Sequence, residues 1–121
     1  MIYLEVNGAQ YPASITGRLN DKDWDGRASK AIKIEMSYSD AIELFVDDLN
    51  WNIVQETEEL VERIDEESGD TIVETVVNRE SYDNSEYSIA GDIIDHRNGF
   101  VTVKMGKPTA EEILAMLEEV L

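Results

Sequence analysis

The chain has 121 residues, 42% of them hydrophobic, no cysteine, and a formal net charge of −17. That length suits one domain, and the apolar content can build a core, which excludes a wholly disordered chain. The lack of cysteine removes disulfides, thiol nucleophiles, iron–sulfur clusters and cysteine-bound zinc together.

The charge is unevenly placed. Residues 1–39 hold five acids and five bases, residues 40–80 hold fourteen acids against Arg63 and Arg79 alone, and residues 81–121 hold eight acids and three bases. A field concentrated in the middle of the chain repels nucleic acid and anionic lipid and attracts basic surfaces. The expected partner is therefore a protein, with no direct nucleic-acid or membrane binding. Acidic surplus also serves solubility alone, which is the plainer explanation. Met1 to Val6 carries neither the basic segment nor the long apolar stretch of a signal peptide. No apolar run reaches the roughly 20 residues of a membrane helix. A cytoplasmic location is expected.

Taken in chain order, Ile2 to Val6 reads as a strand that meets Asn7-Gly8, a dipeptide suited to a type I′ hairpin turn. Gln10 to Thr16 would return, and Pro12 suggests an edge strand. Gly17 to Ala28 is polar and rich in aspartate, hence a loop. Ile32, Ile34 and Met36 alternate with charged residues as in a half-buried strand. Ser37 and Asp40 introduce a short helix over about Ser39 to Asp48, with Ala41, Ile42, Phe45 and Leu49 inward and Asp40, Glu43 and Asp47 in an outward acidic stripe. Trp51 to Val54 is a further strand.

Residues Glu56 to Asp70 fit both a helical stripe and strand alternation. A turn at Ser68-Gly69-Asp70 before the β-branched run Thr71 to Val77 favours a long acidic hairpin. Tyr87, Ile89 and Ile93 mark the face of another strand, Asn98-Gly99 a tight turn, and Val101, Val103 and Met105 the return. Thr109 with Glu112 is a capping box opening an amphipathic helix with Ala110, Ile113, Leu114, Leu117 and Leu121 on one stripe and Glu111, Glu112, Glu118 and Glu119 on its wet side. The sum is one α+β domain over residues 1–121: a mostly antiparallel β-sheet or small barrel, a short central helix, and a C-terminal amphipathic helix covering one sheet face.

Three constellations bear on chemistry. Asp21-Lys22-Asp23-Trp24-Asp25-Gly26 matches the opening of an EF-hand loop, where alternate carboxylates converge on Ca²⁺. Asp21, Asp23 and Asp25 are the candidate ligands. The bidentate glutamate at position twelve is replaced by Ile32, however, so a solvated loop with turn-capping aspartates is the better reading and no cofactor is expected. His96 adjoins Asp95, but neighbours on a strand point to opposite faces, so they form no acid/base dyad. No nucleophile elbow or phosphate-binding glycine loop is present, and a non-enzymatic protein is expected. Trp24, between two aspartates, is either an exposed anchor for a partner or a lid on the core; Trp51 reads as core.

The stretches Asn7 to Pro12, Asp21 to Arg27, Tyr82 to Tyr87 and Ile94 to Lys107 resemble small acidic proteins encoded in prophage regions of gut Gram-positive bacteria, often beside tail genes. The resemblance covers most of the chain outside residues 56–80. It implies a phage structural or tail-assembly protein that binds phage structural proteins, located in the cytoplasm of a bacterial host or associated with the virion, with self-association as a further expectation, and it carries over no catalytic residue. The alternative is an acidic mimic of DNA that inhibits a basic, nucleic-acid-binding host nuclease, of the anti-CRISPR or anti-restriction kind. Glu56, Glu58, Glu59, Glu62, Asp65, Glu66, Glu67 and Asp70 would then stand in for phosphates. Together with Trp24 these are the candidate partner-binding residues.

Overall fold

The computed structural model describes residues 1–120, with side chains described through Glu118. Leu121 and the Glu119 side chain, both assigned places on the last helix above, lie outside the described residues. Five-residue β1 (Ile2–Val6) turns at Asn7 and Gly8, whose φ values of 52° and 80° suit the type I′ geometry their sequence favours. It returns as β2 (Ala9–Asp21). A single 3₁₀ turn over Lys22–Trp24 leads to β3 (Arg27–Glu35), followed by α1 (Tyr38–Leu44). The long strands β4 (Asn52–Ile64) and β5 (Thr71–Asp83) form one hairpin, β6 (Ile89–Asp95) and β7 (Phe100–Gly106) another, and α2 (Ala110–Val120) ends the chain. The strands make one antiparallel sheet in the order β5-β4-β1-β2-β3-β7-β6.

The fold is thus α+β and mostly antiparallel. The sheet is open, with β5 and β6 as its free edges, so the barrel alternative does not hold. Residues opposite one another in an antiparallel pair share a face. Leu4 and Val6 on β1, Ile32 and Ile34 on β3, and Val101, Val103 and Met105 on β7 accordingly form one buried layer. Ala41 of α1, Phe45, Trp51 and Tyr87 cover it. The Trp51 indole N–H donates to the Tyr87 carbonyl at 3.1 Å, which satisfies its one polar atom inside the core.

Several sequence expectations are corrected. Of the expected Asp-rich loop Gly17 to Ala28, residues 17–21 and 27–28 belong to β2 and β3, because pairing from Ala13↔Ile34 to Asp21↔Arg27 satisfies the backbone whatever the side-chain pattern, with a bulge between Arg18 and Asp21. Pro12 lies in an interior strand. It sits one position beyond the last β2–β3 pair, so on that side it has no ladder to interrupt. The first helix stops at Leu44: Phe45 leaves helical geometry at φ −91°, ψ 93°, and its ring enters the core. Asp47 therefore lies outside the helix, where its carboxylate accepts the Ala90 N–H at 2.9 Å, and Ile42 faces solvent.

The last helix departs furthest from expectation. Its capping box forms, with the Thr109 N–H donating to Glu112 at 2.9 Å and the Glu112 N–H donating to the Thr109 hydroxyl at 3.3 Å. Yet Ile113, Leu114 and Leu117 are exposed, and among the described residues α2 has no extensive packing against any strand. Glu112 fastens its first turn to the body through Arg27, at 2.6 Å. Among the described residues no helix is long and apolar enough to cross a membrane.

These positions differ in what they contribute. Leu4→Ala, inside the core, should cost about 2–5 kcal/mol of stability in urea unfolding. Leu117→Ala should stay within about 0.5 kcal/mol of wild type; equal losses would mean that α2 packs on the sheet.

Candidate functional site

The β4–β5 hairpin is the dominant surface feature. β1 pairs only with Asn52–Gln55 of β4, while β4 and β5 stay paired from Asn52↔Asp83 to Ile64↔Thr71 without a register shift. Beyond Gln55 the two strands have only each other, so an arm of about 30 Å projects from the sheet at the usual rise per residue. Its tip is closed by Asp65 and Asp70, where the Asp65 N–H donates to the Asp70 carbonyl at 2.9 Å, and Gly69 takes a φ of 71°.

The pairing divides the arm into two faces. Ile53 lies opposite core residue Leu4, so the odd-numbered residues of β4 continue the core side and the even-numbered ones the outer side. On the core side Val61 and Val76 are 39% and 38% exposed. The outer side is barer: Leu60 and Ile64 are each 72% exposed, Val73 56% and Val77 52%. Four large apolar side chains thus form a stripe on a two-stranded ribbon with nothing over them.

Glu58 and Glu62 flank that stripe on the outer face, Glu59 lies on the opposite face, and Asp65, Glu66, Glu67 and Asp70 crowd the tip. The eight acids proposed from sequence are therefore on one arm but not on one surface. Glu56 is partly neutralised by Arg79 at 2.6 Å, and Arg63 is engaged by Glu74 at 2.7 Å. Hydrogen bonding to Glu56 raises the Arg79 pKa further, and both arginines of the arm are occupied by a carboxylate. Asn78 donates to Glu59 at 3.1 Å, and the Tyr82 hydroxyl bonds Glu80, which pushes the phenol pKa up. Sequence reasoning picked out the acids and missed the apolar stripe. The signal lay in the alternation of Val73, Thr75 and Val77, which becomes readable as a face only once the hairpin register is known.

Trp24 lies elsewhere, at the opposite end of the sheet from the arm. It is half-buried in a slot left by two glycines: a Cβ at Gly91 would approach its ring to 2.7 Å, and one at Gly106 to 2.8 Å. The Arg27 guanidinium sits 5.0 Å from the ring centroid. Trp24 and the arm acids do not form a single surface.

The aspartates of the EF-hand-like motif do not converge. Asp21 is fully buried and already satisfied: Lys104 reaches it at 2.6 Å, the Ser29 hydroxyl donates at 3.0 Å and the Asp23 N–H at 3.1 Å. The Lys104 contact foremost, with Ser29 and Asp23, holds the Asp21 carboxyl below its ordinary range although burial opposes this. Asp23 and Asp25 are exposed, and Asp25 takes the left-handed φ of 56° that closes the turn. Among the described residues no three His, Asp or Glu side chains come together as metal ligands. His96 Nε2 meets the Thr102 hydroxyl at 2.7 Å, while Asp95 accepts the Arg97 N–H at 2.9 Å, so these two neighbours serve separate contacts.

No protein-family model matches the chain, and neither does any curated protein or solved structure.

Two measurements check this geometry. The Arg27 guanidinium, then the Thr109 N–H, holds the Glu112 carboxyl down to about 2 from an ordinary 4.5. A depressed carboxylate pKa gives stabilisation that is complete above the ordinary value and lost as pH falls through the folded one. Amide shifts of α2 should therefore hold above pH 4.5 and move toward coil as pH approaches 2; Glu112→Gln should show the loosened helix already at neutral pH. Asp21→Ala should lower the melting temperature by several degrees, because it leaves Lys104 and Ser29 without their acceptor. Asp23→Ala should lower it much less, and added Ca²⁺ should leave the wild-type melting temperature unchanged.

Proposed function

We propose that this protein works by binding another protein through the β4–β5 arm, as a non-enzymatic structural or tail-assembly component of a phage or prophage. The observation that carries the reading is the exposed outer-face stripe of Leu60, Ile64, Val73 and Val77 on a projecting ribbon. A soluble domain gains nothing from four bare aliphatic side chains on an arm, whereas an apolar contact gains about 25 cal/mol for each Å² removed from water. The acids around the stripe keep the unbound arm from self-adhesion. The resemblance to acidic prophage proteins supplies the phage context.

The DNA-mimic reading draws on the charge of residues 56–80, where ten acids face two arginines that are both paired. It weighs less, because a phosphate-like array needs acids in succession on one surface. Here Leu60, Val73 and Val77 interrupt them and Glu59 faces away.

Replacing residues 58–77 by an Asn-Gly turn closes the hairpin on the hydrogen-bonded pair Thr57–Asn78 and leaves Glu56 opposite Arg79 and the core untouched. Cross-linking of the tagged wild type in its lysogen should recover tail or baseplate proteins, and the shortened protein should lose them. Recovery of a host nuclease that is released as salt rises would install the mimic reading. An unchanged partner set on the shortened protein would remove the arm from function.

A further inference from the structure

The free edge of the arm has a chemistry of its own. At the base of the hairpin the Asn84 N–H donates to the Trp51 carbonyl at 2.8 Å, and at the tip the Asp65 N–H donates to Asp70 at 2.9 Å. Hydrogen-bonded and non-hydrogen-bonded pairs alternate along an antiparallel ladder. Both anchors join an odd-numbered residue on the β4 side to an even-numbered one on the β5 side, and the register between them is unbroken. Even-numbered residues of β5 therefore bond β4, and the N–H and C=O groups of Val73, Thr75, Val77 and Arg79 point to the open side. Edge strands are ordinarily blunted by charge, above all lysine, by proline or by a bulge. β5 has no lysine, proline or bulge, and its charges are acidic apart from Arg79, which pairs with Glu56, so they repel another acidic strand and not a cationic one; the opposite edge, β6, carries a register shift between Ala90 and Ile93.

We propose that β5 is a docking edge for an extended, cationic segment of a partner protein, which adds to the sheet as an eighth strand beside Val73–Arg79. This rests on the arm being the working surface and names what it takes. Main-chain bonds to the odd-numbered residues supply affinity, and alternate side chains supply selectivity. On the outer face the guest strand meets Val73 and Val77, which favours apolar residues. On the other face it meets Glu74, Val76 and Asn78, with Glu80 just beyond, and the surplus of ten acids over two paired arginines along residues 56–80 favours lysine or arginine there. A period-two alternation of basic and apolar residues is the matching sequence. The charge also decides against the simplest competitor, since a second copy of this chain would bring another strongly acidic arm alongside the first.

The full chain would be titrated with a peptide alternating lysine and valine and with one alternating glutamate and valine, while amide exchange is followed residue by residue. The lysine peptide should bind, weaken at least tenfold between about 0.05 and 0.5 M salt, and slow exchange at Val73, Thr75 and Val77. The glutamate peptide should not bind. Thr75→Pro removes one outward N–H and no β4 bond, so the hairpin should persist while peptide affinity falls at least tenfold. Protection at α2 or elsewhere, equal binding of both peptides, or unimpaired binding by a folded Thr75→Pro chain overturns the proposal. So does protection of the same amides by concentration-dependent dimerisation without peptide. The wild-type exchange pattern decides the matter even if Thr75→Pro does not fold. A host partner lost on arm shortening but retained by Thr75→Pro removes the edge proposal and keeps the arm; a partner retained without the arm removes both.

Discussion

The attachment at Trp51 governs where the arm begins and how firmly it stands. The side chain is buried, its indole N–H is taken by the Tyr87 carbonyl, and its ring meets Tyr87 edge-on at a centroid distance of 6.4 Å. Its main chain is tied at the same place, with the N–H bonded to the Ser85 hydroxyl at 3.2 Å and the carbonyl accepting from Asn84. One residue thus fixes the first rung of β4 and the last rung of β5 to the core. With no slip along thirteen consecutive pairs, that choice sets which side chain faces which way to the tip.

Beyond that anchor the arm has little to hold it. A two-stranded ribbon is marginal in water on its own, and its exposed ion pairs, Arg63–Glu74 and Arg79–Glu56, contribute on the order of 0–1 kcal/mol each. Val61 and Val76, diagonal to one another across the strands, add no more than that. Ten acids within residues 56–80 work against compactness. A partner that bound the arm and not its frayed form would stabilise it by mass action. The same features that leave the arm weakly held in isolation therefore suit it to binding: bare aliphatic groups, unpaired main-chain donors and acceptors, and uncompensated charge.

The other end of the molecule obeys a different economy of charge. Asp21, Lys104 and Ser29 form a buried polar cluster whose members satisfy one another, and Arg27 links the sheet to Glu112 and to the Trp24 ring. The run of aspartates whose opening matches a cation loop forms the corner of a β-hairpin. Past the bulge Asp21 pairs with Arg27 and is buried against Ser29 and Lys104, and the turn then sends Asp23 and Asp25 outward. Carboxylate spacing in sequence becomes a metal site only when the backbone curls around a centre, and here it runs straight into a tight turn.

Much of the architecture was legible before any coordinates. The Asn7-Gly8 turn, the alternation at Ile32 and Ile34, the core role of Trp51, the returning strand through Val101 and Met105, and the Thr109–Glu112 capping box all express local preferences that the fold does not override. Sequence by itself determined that this is an α+β protein, because turn chemistry and hydrophobic period are local quantities; over residues 56–70 it favoured a hairpin but left a helix open, since the apolar positions fit both periods. Tertiary structure alone decided that α2 leaves its apolar stripe uncovered, that Pro12 lies inside the sheet, that Asp21 is buried against Lys104, and that the arm's acids are divided between two faces and a tip. Each of these depends on which strand lies beside which, and in what register, and strand pairing between distant residues is set by the packing of the whole core.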